Sequence, residues 1–260
     1  VLLGMAGLAS AALAACADGG SAIPPAASNA TPSGAPRTGP AIAPPSIAAR
    51  SSEQAAAALA PAAPKARPDK QQIVAEFAGR HPKEWVLHVT GVVNKSQSHK
   101  VALTFDACGG PGGTACDHEL LQTLRKLNVP ATLFINSRWI HANPPLSAEL
   151  APDPLFEPAN HGTAHLPLSV NGKSAYGIHG TASVAAAYDE LMGNQAILQE
   201  IGGKVPQFFR PGTAFYDDVA VEMTRRLGML PVNFTANGDG GATYSAATVA
   251  AEVGRVVPGD

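Results

Sequence analysis

The sequence predicts an α/β fold in which strands and helices alternate, and three neighbouring stretches carry this prediction. Residues 101–106 are an apolar, β-prone run that is too short for a helix and leads into a glycine-rich turn, as a buried strand does. Asp117 is a suitable N-cap for a helix whose leucines at 120, 121, 124 and 127 share one face. Residues 131–136 form a second buried strand. A strand, a helix and a strand in this order favour parallel pairing.

The chain from residue 71 onward continues this alternation. We predict a helix over 71–79, a β segment over 84–93, a helix over 183–202, a strand over 206–210, a helix opened by Asp217 or Asp218 and ended at Gly228, a strand over 230–234 and a helix over 246–255. Residues 141–180 contain several prolines and little periodicity, which predicts a long functional loop. The number of units fits a (β/α) barrel with one unit missing.

Composition and charge are typical of one folded domain with additional segments. Only 15% of the 260 residues are charged and the formal net charge is −2, so no nucleic-acid partner is expected. Residues 17–70 consist mostly of Ala, Pro, Ser and Gly and cannot bury enough apolar surface to fold, which predicts a disordered linker. Residues 71–260 are the predicted folded domain. Residues 256–260 resemble the approach to a further strand, so we expect the barrel to be incomplete at the C-terminus.

The first residues have the character of an export signal. Residues 1–15 form an apolar run that is too short to span a bilayer and ends in Leu13-Ala14-Ala15-Cys16. This ending resembles a bacterial lipobox, in which the cysteine becomes lipidated. We therefore predict a lipoprotein signal over 1–16, a lipid anchor at Cys16 and a place in the bacterial cell envelope, as a periplasmic or outer-membrane lipoprotein. The alternative is an ordinary signal peptide cleaved near Ala15.

Polar residues at three separated positions point to chemistry. Asp106 ends the first strand, and catalytic groups lie at the carboxyl ends of parallel strands, although an Asp there can also simply cap the next loop. His161 and His165 stand four residues apart, a spacing that suits a transition metal but also occurs by chance. Arg210 ends another short apolar run.

In this order, the segments Thr104-Phe105-Asp106, His161-Gly162-Thr163-Ala164-His165 and Arg210-Pro211 resemble the motifs T-F-D-D-G, H-[ST]-x-x-H and R-x-P of the polysaccharide deacetylase family, also called the NodB-homology domain or carbohydrate esterase family four. The resemblance implies a deformed (β/α)7 barrel over about residues 100–260. It implies that Asp106 is the catalytic base, that His161 and His165 bind a divalent metal, typically Zn, and that Arg210 holds the base by an ion pair.

Several positions depart from that pattern. Ala107 stands where the family has its third metal ligand, and Cys108 is either a replacement ligand or, as we predict, one half of a disulfide with Cys116. Gly212 and Thr213 replace Pro-Tyr and are predicted to bind substrate through the backbone. Asp239 is matched to the carboxylate that tunes the general-acid histidine. The L-x-H motif that carries that histidine is expected beyond Asp260.

The function implied by the resemblance is metal-assisted hydrolysis of N-acetyl groups on an amino-sugar polysaccharide or oligosaccharide, with release of acetate. One alternative is a metal-independent amide hydrolase of the same fold, which the missing ligand at Ala107 motivates. The other is a lipoprotein that binds glycan without turning it over.

Overall fold

The structure, a computed structural model, describes residues 67–241 and 243–260. The predicted signal peptide, Cys16 and the linker up to residue 66 lie outside the described residues. The described elements are, in chain order, α1 (Lys70–Phe77), β1 (Trp85–Val86), β2 (Thr104–Ala107), α2 (His118–Leu127), β3 (Ala131–Ile135), α3 (Ser137–Ala142), α4 (Pro144–Leu150), β4 (Phe156–Asn160), β5 (Ser174–Ala175), β6 (Ile178–His179), α5 (Val184–Gly202), β7 (Phe208–Phe209), β8 (Tyr216–Asp217), α6 (Asp218–Arg226), β9 (Leu230–Pro231) and α7 (Ala246–Val253).

The main sheet has five parallel strands in the order β2-β3-β4-β7-β9. The register between β2 and β3 runs from Thr104 opposite Thr132 to Ala107 opposite Ile135. Helices connect the strands, so the predicted α/β class with parallel strands is confirmed. Because the strands are parallel, their carboxyl ends lie along one edge of the sheet and can build a common site. Among the helices of the described ranges, none is long and apolar enough to cross a bilayer.

The structure of residues 141–180 differs from the predicted loop. It was predicted as a loop, but it contains helix α4 and strand β4, which lies in the middle of the sheet. Pro158 within β4 concealed the strand, since a proline has no N–H for a ladder and normally argues against a central strand. The proline is tolerated because β4 pairs with β7 only at Asn160, beyond Pro158.

Two apolar clusters hold the helices on the sheet. One joins α1, α5 and α6 and includes Phe77, Leu191, Phe209, Val219 and Met223. The other lies under α2, α3 and α4 and includes Leu124, Ile135, Trp139, Leu150 and Phe156. Burying side chains of this size stabilises the fold by about 1.5–3 kcal/mol each. The clusters thereby fix the strand ends that carry the polar residues.

Candidate active site

The predicted polar residues meet at the carboxyl edge of the sheet. Asp106 is the penultimate residue of β2, His161 directly follows β4 and Arg210 directly follows β7. Arg210 donates from Nη1 to Oδ1 of Asp106 at 2.7 Å, and Nε2 of His161 lies 3.8 Å from Oδ2 of the same carboxylate. The structure therefore brings together three residues that are far apart in the sequence.

Several contacts fix the side chain of Arg210. Its side chain is 2% exposed, and it also donates to Oγ1 of Thr104 at 3.1 Å and to the carbonyl of Asn233 at 3.3 Å. The guanidinium lies over the ring of Phe134, 4.1 Å from its centroid, and 5.2 Å from that of Phe234. A cation held between two aromatic faces is favourable where water is scarce. Arg210 thus presents a constant positive charge to Asp106.

Asp106 keeps one side open to solvent, with 31% of its side chain exposed. Burial is the largest single effect and opposes ionisation, but the charge of Arg210 and its hydrogen bond, together with the nearby imidazoles, more than offset it, so the pKa of Asp106 lies below its ordinary value. The carboxylate is therefore ionised at neutral pH. An ionised, oriented and accessible carboxylate is suited to accept a proton from water.

His161 is buried, with 1% of its side chain exposed, and its tautomer follows from its neighbours. Nδ1 lies 2.8 Å from the carbonyl oxygen of Arg210, which can only accept, so Nδ1 carries the proton and donates. Nε2 then carries the lone pair, which faces Oδ2 of Asp106 at 3.8 Å and can accept from the Cys108 thiol at 3.7 Å. Burial lowers the pKa of His161, which keeps the imidazole neutral.

His165 lies beside it, with the two ring centroids 5.0 Å apart and nearly perpendicular. Its Nε2 is buried without a hydrogen-bond partner among the described residues. Burial and the neighbouring His161 lower the pKa of His165 to about 3, so this imidazole is neutral too. His165 also has a positive φ of 62°, which is rare for a residue other than glycine and recurs at functional sites.

Glu190 on α5 holds the loop between the two histidines, and sequence reasoning missed it. It is 4% exposed. Its carboxylate accepts hydrogen bonds from the N–H of Ala164 at 2.9 Å and of Leu166 at 3.1 Å, the two neighbours of His165. Gly162 allows this approach because any Cβ there would collide with Oε1 of Glu190. The only sequence signal was an acidic residue among the positions of α5 that face the core, where charged residues are rare.

Buried amides fix the backbone around His161. Asn136 donates to the carbonyls of His161 at 2.8 Å and Gly162 at 2.7 Å. Asn160 accepts from the N–H of Gly162 at 2.8 Å and from Asn194 at 2.9 Å. Satisfied buried networks of this kind define one geometry, because a lost partner leaves an unpaired polar group. The histidine therefore rests on a rigid support.

The disulfide predicted between Cys108 and Cys116 is wrong, because both are free thiols. The Sγ of Cys108 lies 3.7 Å from Nε2 of His161. Cys116 instead packs against the apolar cluster under α2 and α3. The two side chains thus have different surroundings. Burial raises the pKa of the Cys108 thiol to about 12, and the charge of Asp106 adds to this effect.

The polar atoms at this edge fit a metal ion. One ligand atom each from Cys108, His161 and His165 lies within 4.8 Å of the other two. Neutral imidazoles bind transition metals through a ring nitrogen that carries a lone pair, which Nε2 of His161 does because Nδ1 donates, and Nε2 of His165 is buried without a partner among the described residues. The residues present are therefore compatible with the metal that the family resemblance implies.

The remaining predicted residues lie around this cluster. A Cβ on Gly212 would overlap the ring and the carbonyl of His165, so the loop after Arg210 passes directly against that histidine. Thr213 is half-buried, and its Oγ1 accepts from the N–H of Phe215 at 3.4 Å. Asp239 lies in an exposed loop, where it accepts from the N–H of Gly241 at 2.8 Å. The substrate-binding role of Gly212 and Thr213 and the catalytic role of Asp239 stay predictions.

We compared the chain with models of protein families and with known proteins. Residues 93–232, more than half of the chain, match the family model described as polysaccharide deacetylase. No curated protein sequence matches the chain significantly.

Solved structures with a similar fold include a CE4 family pseudoenzyme from Bacillus anthracis, with 20% identity over 64% of this chain and a TM-score of 0.53. A mutant of that pseudoenzyme with restored enzymatic activity has 21% identity over 64% of the chain and the same TM-score. The Bc1960 peptidoglycan N-acetylglucosamine deacetylase has 20% identity over 65% of the chain, a TM-score of 0.53 and 74% of its own length covered. The chain spans 55% and 57% of the lengths of the first two structures. At this identity the likeness shows the fold.

Proposed function

This chain belongs to the polysaccharide deacetylase family, as its motifs predicted, and on that premise we propose that it removes N-acetyl groups from an amino-sugar polymer or oligomer and releases acetate. The observation that carries the proposal is the ionised Asp106, held by Arg210 and lying 3.8 Å from the neutral imidazole of His161, which is itself beside His165. The predicted lipid anchor at Cys16 would keep the domain at the cell envelope, where such polymers occur.

The chain's own groups have separate tasks in this proposal. Asp106 accepts the proton of the attacking water, and Arg210 keeps that carboxylate ionised and oriented. We propose that the backbone of Gly212 and Thr213 contacts the acetamide, and the close approach of Gly212 to His165 supports this role. His161 and His165 would hold a divalent metal, which we propose to be Zn²⁺. When bound, the metal supplies Lewis acidity for the amide carbonyl.

The proposal is tested by acetate release from N-acetylglucosamine oligomers with the purified full chain. Asp106→Asn keeps the size of the side chain but removes the base, so the rate is expected to fall by about 10²–10⁴-fold. Asp117→Asn is the matched control, because Asp117 caps α2 and asparagine caps a helix equally well. Equal rates for Asp106→Asn and the unchanged chain would refute the assignment.

A second candidate reaction follows from Ala107, which offers no ligand atom and packs against the apolar cluster under α2 and α3. In a metal-independent amide hydrolase, acetate release or hydrolysis of another amide would persist after strong chelation. In the metal-assisted deacetylase it stops on chelation and returns with Zn²⁺. Binding of the oligomers without any turnover would instead support a non-catalytic glycan-binding protein.

A further inference from the structure

We propose that Cys108 is the third protein ligand of the metal site, so that this chain binds its metal through a thiolate and two imidazoles instead of the family's carboxylate and two imidazoles. The inference deepens the proposed function and rests on the metal site assumed there. It concerns the chain's own departure from the family motif at Ala107 and Cys108.

The alternation of side chains along β2 explains how the thiol reaches the site. Successive residues of a strand point to opposite faces, so Asp106 and Ala107 of β2 point in opposite directions, and Cys108, directly after the strand, continues this alternation on the side of Asp106. Ala107 accordingly packs into the apolar cluster, while Asp106 and Cys108 both lie close to Nε2 of His161, at 3.8 and 3.7 Å. A ligand that the motif lacks at position 107 is thus supplied one residue later.

The position of Cys108 is fixed by its neighbours. Arg138 donates from Nη2 to the carbonyl of Gly109 at 3.2 Å and lies near the carbonyl of Cys108 at 3.4 Å. Gly109 has a φ of 67°, and a Cβ there would collide with the backbone of Arg138 and Trp139. The turn after Cys108 is therefore locked against α3, with the sulfur facing the histidines.

Asp106 is a poorer candidate for the third ligand. Its Oδ1 is engaged by Arg210, and its other oxygen is needed for the proton of the attacking water. Three protein ligands and one open position are the arrangement of catalytic zinc sites. A thiolate also selects Zn²⁺ over Mg²⁺ or Mn²⁺, which prefer oxygen ligands. On binding, the thiol proton leaves to solvent as the sulfur coordinates the metal.

The test uses Co²⁺ in place of Zn²⁺, because a thiolate bound to Co²⁺ gives a charge-transfer absorption in the near ultraviolet. The chain has three cysteines, so the Cys16→Ser, Cys116→Ser double variant leaves Cys108 as its only thiol. We expect the band in this double variant and its loss when Cys108→Ser is added. We also expect Cys108→Ser to lower the Zn²⁺ affinity, measured by competition with a chromophoric chelator, by at least about tenfold. Losing a residue that only hydrogen-bonds a metal ligand already has an effect of this size.

A Co²⁺-loaded double variant without the band would overturn the proposal, as would an unchanged band after Cys108→Ser. If the variant with Cys108→Ser does not fold, the double variant still tests the proposal. Bound Zn²⁺ should protect Cys108 from alkylation, which mass spectrometry measures. Equal labelling with and without Zn²⁺ would overturn the proposal. The failure of the two proposals is distinguishable. If the chain releases acetate but shows no charge-transfer band with Co²⁺, only the thiolate ligand is contradicted. If it shows the band but releases no acetate, only the deacetylase function is contradicted.

Discussion

Arg210 donates to Asp106 at 2.7 Å across a separation of 104 residues, and this ion pair joins the ends of two strands that are not neighbours in the sheet. The guanidinium is buried and the carboxylate is partly open. Burial keeps the charge of Arg210 close to the carboxylate, and the exposed side of Asp106 can accept a proton from water. The relationship between these two side chains sets the pH at which the proposed base is active.

Removing the charge of Arg210 is expected to shift the pH dependence of activity. Arg210 lowers the pKa of Asp106, so Arg210→Gln raises that pKa, and the low-pH limb of kcat/KM moves to higher pH. The measurement is a pH–rate profile on N-acetylglucosamine oligomers. Arg226→Gln, which breaks a surface pair with Glu76, is the control and should leave the limb in place. An unmoved limb in Arg210→Gln would mean that Asp106 is not the titrating base.

Glu190 is expected to position His165 for metal binding. Glu190→Gln replaces one carboxylate oxygen by an N–H₂ group that faces backbone donors, so the loop that carries His165 loses its support. We predict a loss of Zn²⁺ affinity of about 10–100-fold, the usual effect of outer-shell changes. Glu200→Gln on the exposed side of the same helix is the matched control. The same affinity in both variants would show that Glu190 stabilises the fold only.

Gly212 is expected to be essential because of its contact with His165. Gly212→Ala places a methyl group in the space of the imidazole, and displacement of the ring should weaken Zn²⁺ binding by about 10–100-fold. The measurement is competition with a chelator. Gly238→Ala serves for comparison, because a Cβ at Gly238 meets nothing within 4 Å. If both alanine variants bind equally well, the loop after Arg210 does not constrain His165.

Asp217 is expected to stabilise the fold through two buried hydrogen bonds. It caps α6 by accepting from Ala220 at 2.7 Å, and it also accepts from Val170 at 2.7 Å in the loop after the histidines. Asp217→Ala should lower the free energy of unfolding by about 2–4 kcal/mol, the sum of a lost cap and an unpaired buried N–H. Asp69→Ala, at the exposed cap of α1, should cost about 1 kcal/mol. Urea denaturation compares them, and equal losses would contradict the second role of Asp217.

Much of the fold was predictable because local signals agreed with the final structure. Asp117 caps α2 as predicted, and α5 begins after Ser183 and ends at Gly203 in the left-handed conformation that glycine favours. Strand β4 was missed because Pro158 argued against a strand more strongly than the neighbouring residues argued for one. Whether a sheet accepts a proline depends on which residues pair with the adjacent strands, and the sequence does not reveal this pairing.

The candidate site was predictable only in part, because some of its contacts join residues that are far apart in the sequence. Asp106, His161 and Arg210 were named because their motifs occur in the family's order, and the structure places them together. Glu190 was missed because its contacts reach 24 to 26 residues back along the chain, beyond any local pattern. Cys108 was assigned to a disulfide because a short loop links it to Cys116, whereas strand alternation directs it to the histidines.

The central claim is that His161 and His165 form one metal centre beside Asp106. Its most direct test is the amount of Zn²⁺ that remains bound to the purified, dialysed full chain, measured by mass spectrometry of the metal, with the His161→Ala, His165→Ala double variant alongside. The account predicts about one equivalent of metal in the unchanged chain and almost none in the double variant. Equal metal content in the two proteins, or none in either after exposure to Zn²⁺, would contradict it.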